Sequence, residues 1–181
     1  SEDSDLYREH PDWALKIPGR AMNRSRHQLN LDITRKEVRE HIMNQIFKVL
    51  DACKADYVKW DMNRNFSDIY SPYLPAAKQG ETAHRYVLGL YQIMEELTTR
   101  FPKILFEGCS AGGNRFDLGI LCYFPQIWAS DNTDALCRTG IQNSYSYGYP
   151  LSVFTAHVSS CPNHQTLRTV SYTHLTLPTI L

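Results

Sequence analysis

Lys59 and Asp61 stand two residues apart in the run KWDMNRN. In an extended strand alternate side chains share a face, so these two point the same way, and Asn63 joins them if the extension continues. An opposite charge nearby favours an ionised carboxylate, the state a carboxylate nucleophile needs. A plain surface ion pair, or the start of a capped loop, would be spelled the same way. A second carboxylate, Asp131, follows an apolar run in QIWASDNTDA. Partial desolvation is expected there beside Trp128, and desolvation lets a carboxylic acid donate a proton near neutrality. Asp134 reads as the acidic first turn of the next helix, where it meets the positive end of the helix dipole. A calcium loop at DNTD fails, because the alternation of oxygen ligands breaks at Ala135.

A third chemical segment is EGCSAGGNRFD. Gly112 and Gly113 let the backbone approach a ligand closely. It is no phosphate-binding loop, since no Gly-Lys-Ser/Thr follows. Cys109 reads as a small polar wall residue rather than a nucleophile, with no cysteine–histidine pairing legible. The seven histidines form no HExxH or other metal spacing. No metal or cofactor is expected.

These groups must be positioned by the elements around them. Short apolar runs read as strands at Leu29–Asp32, Ala55–Trp60, Lys103–Glu107, Gln126–Ser130 and Ser152–Val158. The stretch ITRKEVREHIMNQIFKVLDAC places Val38, Ile42, Ile46, Val49 and Leu50 near a 3.6-residue period, a helix. Thr34 and Glu37 spell a capping box at its start. Further helices are expected over 81–100, ended by Pro102, and over Phe116–Cys122 and Thr133–Tyr145. Alternating strands and helices imply a parallel sheet with right-handed crossovers; an open doubly wound sheet and a closed barrel both satisfy that. Asp32, Asp61, Glu107 with Cys109, Asp131, and His157 with Ser159 each end or follow a strand run. A barrel gathers such strand ends on one face, where active sites form. Two carboxylates on that face suggest glycoside hydrolysis.

Composition narrows the classes. The 181 residues carry 19 basic and 19 acidic side chains and no net charge, so no basic face for nucleic acid is expected. No apolar run reaches the roughly 18 residues of a membrane span. The five cysteines, an odd number without CxxC spacing, argue against a disulfide framework and a cysteine zinc site. They point to a reducing, cytoplasmic compartment. Eleven tyrosines and three tryptophans suit sugar binding, although tyrosine-rich cores are also common.

SDLYREHPDW, RHQLNLDITRKEV, DYVKWDMNR, FEGCSAGGNRFD, WASDNTDA and SCPNHQT together resemble the α-galactosidases of glycoside hydrolase family 36. KWDMNR and the pattern of Cys109, Gly112 and Arg115 are specific in combination. The resemblance implies an α/β fold, an incomplete (β/α)8 TIM barrel with approximately strands 3 to 7 and their helices, over residues 1–166. It implies retaining hydrolysis of α-galactoside oligosaccharides, with Asp61 as nucleophile and Asp131 as acid/base. Arg26, Lys59, Asn63, Cys109 and Gly112 match sugar-binding positions. A homo-oligomeric parent enzyme is implied as well. Transfer of galactose to another sugar, as in raffinose- or stachyose-type synthases, and α-N-acetylgalactosaminidase activity are neighbouring alternatives, although Cys109 and Gly112 would crowd a bulkier 2-substituent. An inactive truncated barrel or a binding remnant is an alternative of another class, because unpaired sheet edges invite aggregation. An open-sheet nucleotide binder is weaker still, lacking GxGxxG and Walker signatures. The resemblance places the start of the chain after the second barrel strand. It ends near Leu167, and 167–181 is read as a tail departing from the family, a possible sequence artefact.

Overall fold

The computed structural model of this protein describes residues 1–155, 157 and 159–169. The chain divides into two compact units, one formed by Ser1–Asp56 and Asn63–Ile104, the other by Tyr57–Met62 together with the chain from Leu105 onward.

The first unit is helical: α1 (Asp5–Glu9), α2 (Lys36–Cys53) and α3 (Thr82–Arg100). The 3.6-residue pattern does produce α2, but with a shifted buried stripe. Val38, Met43 and Leu50 are buried, whereas Val49 is 62% exposed. α3 buries Ile93, Met94 and Leu97 and stops at Phe101, ahead of Pro102, as expected. Gly89 lets the α3 backbone come against Ile33, where a Cβ would lie 2.3 Å from the Ile33 carbonyl oxygen. The capping box does not form. Arg35 is the N-cap of α2, without a side-chain cap. The Thr34 hydroxyl instead donates to Asp32 Oδ1 at 2.6 Å, and Glu37 accepts from Arg35 Nε at 2.7 Å.

Asp32 is fully buried and also accepts from the Ser71 hydroxyl. Its work is to organise the approach to α2. The expected strand Leu29–Asp32 forms no ladder. Leu31 makes one antiparallel bridge with Ala14, flanked by bonds from Leu15 N–H to Asn30 O and from Asp32 N–H to Trp13 O. The polar side chains of Asn30 and Asp32 are taken up by other loops, Asn30 by the Asn65 carbonyl and Asp32 by the Ser71 hydroxyl, so the segment does not extend into a ladder.

The second unit holds a parallel sheet in the order β1 (Tyr57–Asp61), β2 (Leu105–Cys109), β3 (Gln126–Ile127). α4 (Ala135–Ser146) follows β3. Beneath the sheet Phe106 stacks on Phe124 at 5.2 Å between ring centres, and Trp60 packs on Phe124 from the face of β1 opposite Lys59 and Asp61. The helix expected over Phe116–Cys122 shrinks to a 3-10 turn at Ile120–Cys122. Asp117 Oδ1 takes the Ile120 N–H there, and Pro125 leaves no room to continue. The strand expected over Ser152–Val158 begins as a 3-10 turn at Leu151–Val153. Among its described residues it then contributes one parallel bridge, from Phe154 to Ile127. Residues 156 and 158 of that run, and 170–181 of the expected tail, lie outside the described residues.

Candidate functional site

The β1–β2 register builds the centre of the site. Lys59 lies opposite Glu107, and Asp61 opposite Cys109. With a two-residue side-chain period, all four project from one face. Lys59 Nζ is 3.4 Å from Glu107 Oε1. Glu107 is only 3% exposed. Burial pushes its carboxyl up, and a hydrogen bond with Thr155 offsets that only partly. Cys109 is also buried. Burial is the largest influence raising its thiol, a bond with the Gly112 backbone opposes it, and a hydrogen bond with Asp61 and the charge of Asp61 raise it further. The group therefore stays a thiol at neutral pH, a neighbour for the Asp61 carboxylate rather than a nucleophile.

The turn after β2 is pressed against the chain after β3. Gly112 has φ +88°, and a Cβ there would lie 2.9 Å from Ser130 Cα. Gly113 N–H donates to Ala129 O at 3.1 Å, and Ser110 N–H to Gly112 O at 2.9 Å. The Ser110 hydroxyl reaches Met62 O at 2.7 Å. Arg115 Nη2 donates to Trp60 O and Cys109 O, both at 3.1 Å, fastening the ends of β1 and β2 together. This gives Arg115 of the Cys109–Gly112–Arg115 pattern a structural task.

Asp131 stands in coil between β3 and α4 and is exposed, not desolvated as expected. β3 ends at Ile127, and residues 128–134 form a loop before α4 begins, with Asp131 on its exposed part. Trp128 is the buried partner instead. Its indole Nε1–H donates to Asp131 Oδ1 at 2.7 Å. Lys59 Nζ sits 3.8 Å from the Trp128 ring centre and the Arg138 guanidinium 4.4 Å. The His157 ring meets it edge-on at 5.2 Å. His157 remains exposed; partial desolvation first, then the charges of Arg138, Lys59 and His164, hold it below the usual imidazole range. Lys59 thus neighbours Asp61 along β1, Glu107 across the sheet, and the tryptophan that bonds Asp131.

Asp134 is the N-cap of α4, accepting from Cys137 N–H at 3.0 Å; the helix begins at Ala135, so Asp134 stands just outside the first turn expected to hold it. The Thr166 hydroxyl and the Cys137 N–H, with the charge of Arg168 contributing less, lower its carboxyl to about 2. Asn163 and Gln165 brace the same loop through Thr133, at 3.1 and 2.9 Å. The SCPNHQT segment therefore supports the SDNTDA loop.

Arg26 and Asn63 belong to the first unit. Arg26 is exposed, with φ +53°, in the turn bridged by Ser25 and Gln28. Arg64 was not singled out by sequence. Buried, it donates to Gln28 O at 2.9 Å, to Asn23 O at 2.5 Å and to Ser67 Oγ at 3.0 Å, and so fastens the turn that carries Arg26. Arg138 was also missed, and Trp128 and Glu107, read only as the neighbour of Asp131 and a strand-end carboxylate, were not read as organisers. Their signal was weak, a Trp three residues before an Asp and a charged residue ending an apolar strand run. Among the described residues no three His, Cys, Asp or Glu side chains gather as metal ligands. No helix among them is long and apolar enough to cross a membrane.

The melibiase family profile matches residues 1–177. This chain belongs to the melibiase family. Its relatives include α-galactosidase Mel36A of Lactobacillus acidophilus, 57% identical over 91% of this chain and 22% of the relative. Another is the bifunctional α-galactosidase/sucrose kinase AgaSK of Mediterraneibacter gnavus, 56% identical over 95% of this chain and 18% of the relative. The crystal structure of the GH36 α-galactosidase AgaA of Geobacillus stearothermophilus superposes with a TM-score of 0.90 at 54% identity, covering 94% of this chain and 24% of that one. The resemblance to glycoside hydrolase family 36 thus holds, and so does the α/β fold with a parallel sheet. The chain spans about a quarter or less of the length of these melibiase relatives.

Proposed function

We propose that this chain carries the catalytic centre of a retaining α-galactosidase, with Asp61 as nucleophile and Asp131 as acid/base. The observation that carries the reading is the continuous arrangement running from the Asp61–Cys109 pair through Lys59 to Trp128 and its bond to Asp131. Asp131 protonates the leaving glycosidic oxygen while Asp61 attacks the anomeric carbon. The C1–oxygen bond breaks and a galactosyl–Asp61 ester forms. Asp131, now a carboxylate, takes a proton from water whose oxygen attacks C1. Galactose leaves, and both side chains return to their starting states. Lys59 keeps positive charge beside Asp61, and Cys109 and Gly112 contact the sugar.

Structures of AgaA variants bound to raffinose and stachyose support α-galactoside oligosaccharides as substrates. Each of those two variants has one aspartate replaced, and the two replaced aspartates are separated along that chain by the same number of positions as Asp61 and Asp131 here. In this reading residues 1–166 are part of a (β/α)8 barrel, and β1, β2 and β3 are its fourth to sixth strands. Five cysteines without a disulfide among the described residues support a reducing compartment.

The test uses this chain and a graft in which residues 1–166 replace the matching stretch of AgaA. A 2-deoxy-2-fluoro-α-galactosyl fluoride should leave its mass on the peptide containing Asp61. With azide, Asp131→Ala should yield α-galactosyl azide and Asp61→Gly the β-anomer. A label on another residue, or an inverted first product from the unmodified graft, would overturn the reading.

A further inference from the structure

We propose that Trp128 is a positioning residue for Asp131, its indole N–H selecting which carboxyl oxygen carries the catalytic proton. The inference rests on the acid/base reading of Asp131 and adds how that carboxyl is aimed. Asp131 is exposed, on coil, and belongs to no ladder, so its side chain has little packing to fix it. The indole beside it is fixed from several directions. Trp128 is 9% exposed. Its backbone N–H donates to Gly108 O at 2.9 Å, and the Lys59 ammonium, the Arg138 guanidinium and the His157 edge all pack on its ring.

Arg138 performs a second task. Its Nη2 donates to Ser130 O at 2.6 Å and its Nε to Asn132 O at 2.7 Å. The two carbonyls flanking Asp131 are therefore held by the same guanidinium that stacks on Trp128. Backbone and side chain of Asp131 are referred to one rigid group.

The chemistry follows from the donor. An indole N–H donates and never accepts. It donates to Oδ1 whether Asp131 is neutral or ionised, and because a carbonyl oxygen accepts better than a hydroxyl oxygen, it biases the proton of the neutral acid to Oδ2. One oxygen is kept for structure and the other for the leaving group and then for water. Cations over the ring face withdraw electron density and strengthen the N–H as a donor. Removing the donor frees the carboxyl to rotate, and misplacement of a catalytic group by about 1 Å costs on the order of 100-fold.

Trp128→Phe keeps a ring for the cations and deletes the donor; replacing Trp128 by 3-benzothienylalanine keeps the indole shape with sulfur in place of N–H. In the AgaA graft, kcat/KM for raffinose should fall about 10- to 100-fold in both variants, mostly through kcat. Galactosyl fluoride needs no protonation of its leaving group, and its kcat/KM should change less than about threefold. Equal losses on both substrates, or none, would overturn the proposal, because a purely structural role does not distinguish leaving groups. Asp131→Ala is run alongside. If it too fails to distinguish the substrates and azide does not restore it, the acid/base reading itself falls. If it behaves as an acid/base deletion while the Trp128 variants do not, only the positioning role falls. Independently of activity, the Trp128 indole proton in the 181-residue chain should resonate downfield and exchange slowly. It should vanish in Trp128→Phe and move in Asp131→Asn, leaving Trp13 and Trp60 unchanged. An indole signal indifferent to Asp131→Asn would refute the bond.

Discussion

Replacing Gly112 by alanine tests how closely the two loops of the site are pressed together. The residue has φ +88°, beyond the left-handed well, and an L side chain there costs roughly 1–3 kcal/mol. The new Cβ would also lie 2.9 Å from Ser130 Cα and 3.2 Å from Ala129 O. Both neighbours are backbone, and the Ser130 carbonyl is held by Arg138, so neither retreats easily. Overpacking of this kind adds about 1–3 kcal/mol. The sum, about 2–6 kcal/mol, is a large part of a domain's stability of about 5–15 kcal/mol. Gly140→Ala is the control. It lies in α4 with nothing within 4 Å of its Cβ, so the same change should stabilise by about 0.5–1 kcal/mol. Urea unfolding of the graft should separate the two variants in opposite directions. If Gly112→Ala escapes by pushing Ser130 outward, Asp131 moves with it, and hydrolysis of 4-nitrophenyl α-galactoside should fall far more than in Gly140→Ala. Gly112→Ala unfolding within about 0.5 kcal/mol of the parent, a surface-substitution effect, with activity retained would refute the close approach.

Cys109, raised by burial, should react with iodoacetamide at pH 7.5 more slowly than the exposed Cys53, Cys122 and Cys161; peptide mass spectrometry showing Cys109 labelled first would contradict its placement beside Asp61. Glu107 has a folded pKa above its unfolded value, so the folded state holds the extra proton and this group's contribution to stability falls as pH rises from about 4.3, the unfolded value, through the folded one. Glu107→Gln should remove that decline, seen as urea midpoints that converge with or overtake the parent as pH rises from 4 to 7; a parallel offset would argue against the raised carboxyl. Asp134 has the opposite sign. Its carboxyl is lowered to about 2, so it stabilises above its unfolded value and loses that contribution as pH falls towards 2. Asp134→Ala should therefore be less stable than the parent at pH 7, with the gap closing between about pH 4 and 2; a gap independent of pH would rule out the ionised cap.

What the sequence determined by itself is what local physics can express. Strand alternation placed Lys59 and Asp61 on one face, and the structure has them there in β1. Pro102 delimited the end of α3, and the acidic start expected for α4 put Asp134 at that helix terminus, although the structure makes it the N-cap rather than a first-turn residue. Each depends on residues a turn or less apart. The tertiary structure alone decided what depends on residues distant in sequence. The register setting Lys59 against Glu107 and Asp61 against Cys109 is a choice among pairings that one strand's pattern leaves open. Leu29–Asp32 had a strand's apolar spelling, yet its hydrogen bonds went to residues 13–15 and its polar side chains to other loops. Val49 fell outside the α2 stripe because periodicity gives a face but not the partner that covers it. Asp131 was legible as a carboxylate at a strand end. That its neighbour Trp128 would turn its indole N–H towards it, while bearing Lys59 and Arg138 on its ring, followed from packing between β1, β3 and α4.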